Sequence, residues 1–387
     1  MKRHLYATTA ICAVSLLDAQ AARAEGIELG LGGYSIKLIS AGGLNTTGSR
    51  DTPSDDPDYN ATGLWAKDKI YFYGEYVADN GFQFGARVEY NAYDGADIDK
   101  HFVWVESDFG RVEAGSRESA AYQMHYAAPA VGLVLNSGWV TVFVPANPDS
   151  VTSSRTVAVS TYVDFGKKEN TLTYYTPRIE GFQLGLSYAP AVSLSGDGQN
   201  FPAEADRNTQ YYNGFAAGLN FENDVAGVGV ALSLGYTRAE APSDVLALGG
   251  DDYQGIALGA TASYAGVTVG GSYANQFDGT ASINGSGTAL SRVIEGQAWD
   301  VGVSYGAGPW TFGASYFQSA VEGAPAGTAG VVGSGNDDKL YAAVGGIQYA
   351  LGPGINAIGG VMYGRWSAES GAVNTGVVAA GGFRFNF

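Results

Sequence analysis

Cysteine is almost absent: there is one in 387 residues, Cys12. A disulfide framework therefore has no partner to build with. No uninterrupted apolar run reaches 18 residues, which excludes a bundle of membrane-spanning helices. Positive charge is also short, with 21 Lys and Arg against 38 Asp and Glu and a formal net charge of −17. Such a surface repels nucleic acid and makes no polybasic contact with a membrane. Histidine occurs three times, so a hydrolase of the Ser–His type has few places to put its base.

The N-terminus reads as an export signal. Lys2 and Arg3 precede an apolar stretch from Leu5 to Leu17, and Ala22-Arg23-Ala24 forms a small-x-small cleavage pattern. Residues 1–24 are expected to be removed, leaving 25–387 as the mature chain. Cys12 goes with them, and the net charge becomes −19.

What the chain does have is glycine, aromatic residues and alternation. Gly is 57 of 387, about twice the usual ~7%, with 25 Tyr and 17 Phe. Segments such as FQFGARVEY (82–90) place Phe84, Ala86 and Val88 on one face and Arg87 and Glu89 on the other. This is the period-2 pattern of a strand with a different solvent on each face. Sixteen such segments run from IELGLGGYSI (27–36) to TGVVAAGGFRFNF (375–387). Tight connections, such as ADNG (78–81) and GAGP (306–309), alternate with long polar ones, such as 44–65 and 193–208. Short turns at one end and long loops at the other predict an all-β, transmembrane, 16-stranded antiparallel β-barrel. A soluble sandwich shares the alternation but not the even count, the export signal and the turn asymmetry together. Trp65, Tyr90, Tyr188, Tyr264, Trp310 and Trp366 are expected to form interfacial girdles.

One connection breaks the pattern. Residues 118–155 form a long and apolar loop, with Tyr122, Met124, Tyr126, Val131, Leu133, Leu135, Trp139 and Phe143. Exposed, it would be a liability, so the sequence predicts that it folds into the barrel. SDFGRVEAGSRESA (107–120) leading into this loop and NTLTYYTPRIEGFQLGLSY (170–188) following it resemble the Gram-negative trimeric general porins, in their alphaproteobacterial style. The resemblance covers nearly the whole mature chain.

That resemblance implies a water-filled outer-membrane channel for small hydrophilic solutes and ions, with 118–155 as constriction loop. It implies a homotrimer surrounded by outer-membrane lipid and lipopolysaccharide, needing no cofactor and binding no nucleic acid. It also implies that Phe387, at the end of the last strand, is the signal read by the barrel-assembly machinery. Porins of this kind set acidic groups on the loop against basic groups on the wall. Here the loop offers Glu118 and Asp149, and strand parity nominates Lys69, Arg87, Arg111, Arg117 and Arg384 on the wall. The loop is poorer in acids than the usual constriction loop, and net acidity points to a weak cation preference. A channel specific for a sugar or an anionic nutrient is the other reading. An enzyme is disfavoured, because parity turns His101 outward and leaves His125 in the loop as a packing residue. The acidic stretch DTPSDDPDYN (51–60) lacks the Gly and distal Glu of a calcium loop and reads as a solvated connection.

Overall fold

A computed structural model describes residues 26–47, 61–93, 97–136, 157–165, 169–192, 206–283, 290–322, 337–367 and 373–387. The expected export signal, the 51–60 stretch, Trp139, Phe143 and Asp149 lie outside the described residues. The first eight strands are β1 (Glu28–Thr47), β2 (Thr62–Val77), β3 (Gln83–Asn91), β4 (Ile98–Ser107), β5 (Gly110–Ser116), β6 (Asn170–Tyr175), β7 (Phe182–Val192) and β8 (Tyr211–Val225). The second eight are β9 (Val228–Glu240), β10 (Tyr253–Tyr264), β11 (Val267–Ile283), β12 (Leu290–Ala307), β13 (Trp310–Glu322), β14 (Asp337–Gly352), β15 (Ile355–Ser367) and β16 (Val373–Asn386). The helical turns α1 (Ala120–Gln123) and α2 (Ser243–Ala247) sit in connections.

Each strand pairs antiparallel with its chain neighbours, and β1 closes on β16 from Tyr34↔Asn386 to Thr47↔Val373. The closure runs on to Phe387, whose backbone exchanges hydrogen bonds of 2.7 and 3.1 Å with Gly33. Closure leaves no sheet edge, which a lipid-embedded barrel requires because unpaired backbone groups find no partner in hydrocarbon. The tight turns are two-residue hairpins in places: Ala265 (φ 50°) and Gly266 (φ 84°) both take positive φ. That is the geometry whose twist matches paired strands, and it strongly prefers Gly at the second position.

The two faces obey the alternation. On β9, Leu232 and Leu234 are about half exposed while Ser233 between them is buried. Apolar side chains outward and small polar ones inward is the reverse of a soluble core, and suits a barrel standing in lipid. Aromatic pairs gather beside the tight turns: Trp310–Tyr349 at 4.4 Å, Phe182–Phe221 at 4.7 Å and Phe383–Phe385 at 6.3 Å between ring centroids. Tyr188, Tyr264 and Trp310 face outward as expected. Trp366 and Trp65 do not. Trp366 is 1% exposed and belongs to the interior cluster, against which Trp65 also packs. The outward residues on their strands are Val361 and Tyr363, and Leu64, so alternation turns both tryptophans inward.

Candidate functional site

The inner wall has two unlike halves. From β7 to β15 it carries small residues, and the loop after β5 lies against them. One inward glycine stands on each of these nine consecutive strands, from Gly185 on β7 to Gly360 on β15, and loop residues 120–133 meet them in chain order. A Cβ on Gly185 would sit 2.8 Å from the Ala120 side chain, and one on Gly259 1.8 Å from the Tyr126 carbonyl oxygen. One on Gly346 would sit 1.8 Å from the Val131 carbonyl oxygen, and one on Gly360 3.3 Å from Leu133. The loop is thus a hoop pressed into a groove that only hydrogen side chains leave open.

A loop backbone lying on a sheet cannot join the strand ladder, so its polar groups need other partners. Wall side chains supply them. Ser187 accepts from Ala120 N at 2.8 Å and Ser233 accepts from Tyr126 N at 2.9 Å. Asp300 accepts from Ala128 N at 3.2 Å, from Asn136 Nδ2 at 2.8 Å and from Ser272 Oγ at 2.5 Å. The returning segment is held the same way: Gln276 accepts from Val157 N at 2.9 Å and Ser319 donates to Ala158 O at 2.7 Å.

His125 is one of the hoop's buried groups. Its Nε2 lies 3.3 Å from the Thr161 hydroxyl, its ring meets Tyr162 edge-on at 4.7 Å, and Nδ1 is buried without a partner. Burial lowers its pKa to about 4. Burial, with the Asp300 carboxylate adding to it, pushes the Tyr162 phenol up to about 12. An unfolded loop protonates His125 near pH 6.5 whereas the seated loop resists until about pH 4, so the loss of stability falls in this window as pH drops. The loss reaches about 3 kcal/mol. Protease access to the hoop, followed from pH 7 to pH 4.5, is expected to rise in the parent and to rise less in His125→Gln. An identical pH profile in both proteins would refute the assignment.

The other half of the wall, on β16 and β1–β5, is charged and aromatic. Lys69 pairs with Asp99 and, at 3.2 Å, with Glu89. Arg87 pairs with Glu89 at 2.9 Å, and Lys100 with Glu118 at 2.7 Å. Glu113 accepts from Arg117 and, at 2.6 Å, from Arg111, which also pairs with Glu106 at 3.0 Å. Arg384 donates from Nε to Asn386 at 3.0 Å. All five wall cations nominated by parity therefore face the interior. Glu118 does not stand across the lumen from them; it is buried at the root of the loop, beside Lys100 on the same wall.

Sequence parity misses Asp99 as a partner, whereas Lys100 stays in phase with Phe102 and Trp104. The β3–β4 register slips between Glu89↔Lys100 and Tyr90↔Ile98. Asp99 is the extra residue of a bulge, so two consecutive side chains reach the interior network. No period-2 count finds that.

Comparison with known proteins agrees with this fold. Residues 7–368 match the family model described as Gram-negative porin. A refined porin structure aligns with 93% of this chain and 100% of its own at 17% identity and a TM-score of 0.58. An anion-selective porin from Comamonas acidovorans covers the same shares at 14% identity and 0.58. OmpF of Salmonella typhi, in complex with daunomycin, aligns over 94% of this chain and 98% of its own at 16% identity and 0.57. No curated protein sequence matches at a significant level.

Proposed function

Because the chain belongs to the Gram-negative porin family, outer-membrane channels for passive diffusion, we propose that small hydrophilic solutes and ions cross it through the gap between the hoop and the charged wall. The observation that carries this is the division of the interior. The loop occupies one half of a closed barrel, and the other half presents partly exposed Arg87, Lys100, Arg111 and Arg117. Such a path lets charged and polar solutes keep hydration and hydrogen bonds while crossing a layer that penalises both. The hoop is the constriction. Catalysis has no part in this function, and no cofactor is required.

A homotrimer is the proposed assembly, and one solved relative, OmpT of Vibrio cholerae, is described in a trimer form (14% identity, TM-score 0.55). Support comes from an ion pair of Lys37 with Asp68 on the outward face of β1 and β2, between exposed Ile39, Leu64 and Phe72. A charge on the lipid face costs roughly 2–4 kcal/mol near the midplane, so this face is better covered by protein. Outer-membrane lipid and lipopolysaccharide cover the remaining outward surface. Phe383, Phe385 and Phe387, all outward and 40–48% exposed, are the proposed docking signal for the assembly machinery.

The test is a planar bilayer. The purified mature chain is expected to insert as conductance steps in groups of three, and removal of Phe387 to lower the yield of inserted channels. Silent bilayers, or a saturable current blocked by a single solute, would sink the diffusion reading.

A further inference from the structure

The arginines of the open wall share one arrangement. Arg384 lies over the ring of Tyr34 at 5.8 Å, Arg87 over Tyr71 at 4.0 Å, Arg117 over Phe102 at 4.3 Å and Arg111 over Trp104 at 4.7 Å. Tyr34 meets Tyr71 edge to face at 6.4 Å. Guanidinium groups and rings thus form one ribbon across β16 and β1–β5.

The charges along this ribbon are layered. The side chains of Glu89, Asp99, Glu113 and Glu118 are 5–9% exposed, whereas those of Arg87, Arg111 and Arg117 are 25–33% exposed. At Arg87 and Arg117 an ion in the gap meets guanidinium first and carboxylate behind it, while the exposed carboxylates, Glu106 beside Arg111 (42%) and Glu222 on β8 (40%), lie toward the tight-turn end. Across the gap the hoop offers no counterweight among the described residues. Its half-exposed side chains include Tyr122, Gln123, Ala127 and Val134, all neutral, and its carboxylates Glu118, Asp164 and Glu169 are buried.

We propose that this ribbon makes the channel favour anions over cations, and small oxyanions (carboxylates and phosphates) above other anions. The inference rests on the gap being the permeation path. A guanidinium presents a planar fork of donors that matches an oxyanion bidentately, and a ring stacked under it holds that plane in place. The chain's net acidity points the other way. Much of it, though, is carried by connections such as 51–60, and a charge acts over only about 8 Å at physiological salt. The wall acts at contact, where a low-dielectric surface focuses its field.

The experiment is a reversal potential under a potassium chloride gradient, measured on the full mature chain after conductance steps are seen. An anion-directed potential is expected. Arg87→Gln and Arg384→Gln are each expected to lower the anion-over-cation permeability ratio roughly threefold. Both variants keep Glu89 paired, since Lys69 still lies 3.2 Å from it and Arg384 has no carboxylate within ion-pair distance among the described residues. Arg238→Gln, which removes an exposed pair with Asp252 at the long-loop end, is expected to change nothing. Inorganic phosphate added to the chloride is expected to reduce chloride current in the parent more than in the two wall variants. A cation-directed potential with normal steps, or unshifted potentials in both variants, would overturn the anion preference and leave the diffusion channel standing. Phosphate without effect would overturn the oxyanion preference. Absence of steps would overturn the channel and the selectivity together.

Discussion

Gly346→Val unseats the hoop, whereas Gly345→Val, one residue away, leaves the channel as it was. The two glycines point to opposite faces of β14. A Cβ on Gly346 would stand 1.8 Å from the Val131 carbonyl oxygen and 2.7 Å from its carbon; one on Gly345 would meet nothing within 4 Å. The obstacle at Gly346 is backbone, so no rotamer change relieves it. Overpacking of this sort costs about 1–3 kcal/mol, and the same strain reaches Gly132, which needs φ +70° to pass the wall at Gly359. The strand ladder is untouched, because β14 pairs through backbone groups that valine keeps. Barrel assembly is therefore expected to survive while single-channel conductance shifts and becomes noisy. Equal conductance in the Gly346 and Gly345 variants would show that the hoop does not bound the path.

Lys69→Met is expected to be the most destabilising single change on the open wall. The ammonium is 12% exposed and serves two carboxylates that are themselves only 7% and 9% exposed, Asp99 and Glu89. Glu89 retains Arg87 at 2.9 Å, and Asp99 retains the Asn91 amide at 3.2 Å but loses this ammonium. Removing one partner from a buried ion pair costs about 3–5 kcal/mol, because the remaining charge stays desolvated. The urea midpoint of the detergent-solubilised barrel should fall accordingly. Asp99→Asn in the Lys69→Met background should recover much of it, since the buried carboxylate charge is then gone, and the double-mutant cycle reads the coupling directly. An unchanged midpoint in Lys69→Met would mean that these groups are solvated and carry no buried pair.

Much of the architecture was legible from side-chain alternation. A strand with lipid on one face and water on the other must write period 2 into its sequence, so the sixteen segments map one to one onto β1–β16. The tight turns were legible for a related reason: hairpins with positive φ ask for Gly, as at Gly227 and Gly266. Parity likewise placed Lys69, Arg87, Arg111, Arg117 and Arg384 on the inner wall, because four of them lie in uninterrupted strands and Arg117 directly follows β5 in the same phase.

Parity failed wherever the backbone left its period or a contact joined distant segments. The bulge at Asp99 moves one residue out of step, and a count along β4 cannot see it. Glu118 looked like an acid facing the wall, yet Lys100 on the neighbouring strand draws it to that wall.

Sequence by itself determined the strands, their faces and their closed antiparallel order, since hydrophobic alternation and turn chemistry are local and repeat along the chain. Only the tertiary structure decided where the loop lies and which sign of charge the gap presents. Nine glycines scattered from Gly185 to Gly360 are unremarked among the chain's 57 glycines, and become one groove when β7–β15 are laid side by side. Acids outnumber cations along the chain, yet on the open wall Glu89, Asp99, Glu113 and Glu118 are buried behind the arginines. Both depend on distances between residues far apart in sequence, and those exist only in the closed barrel.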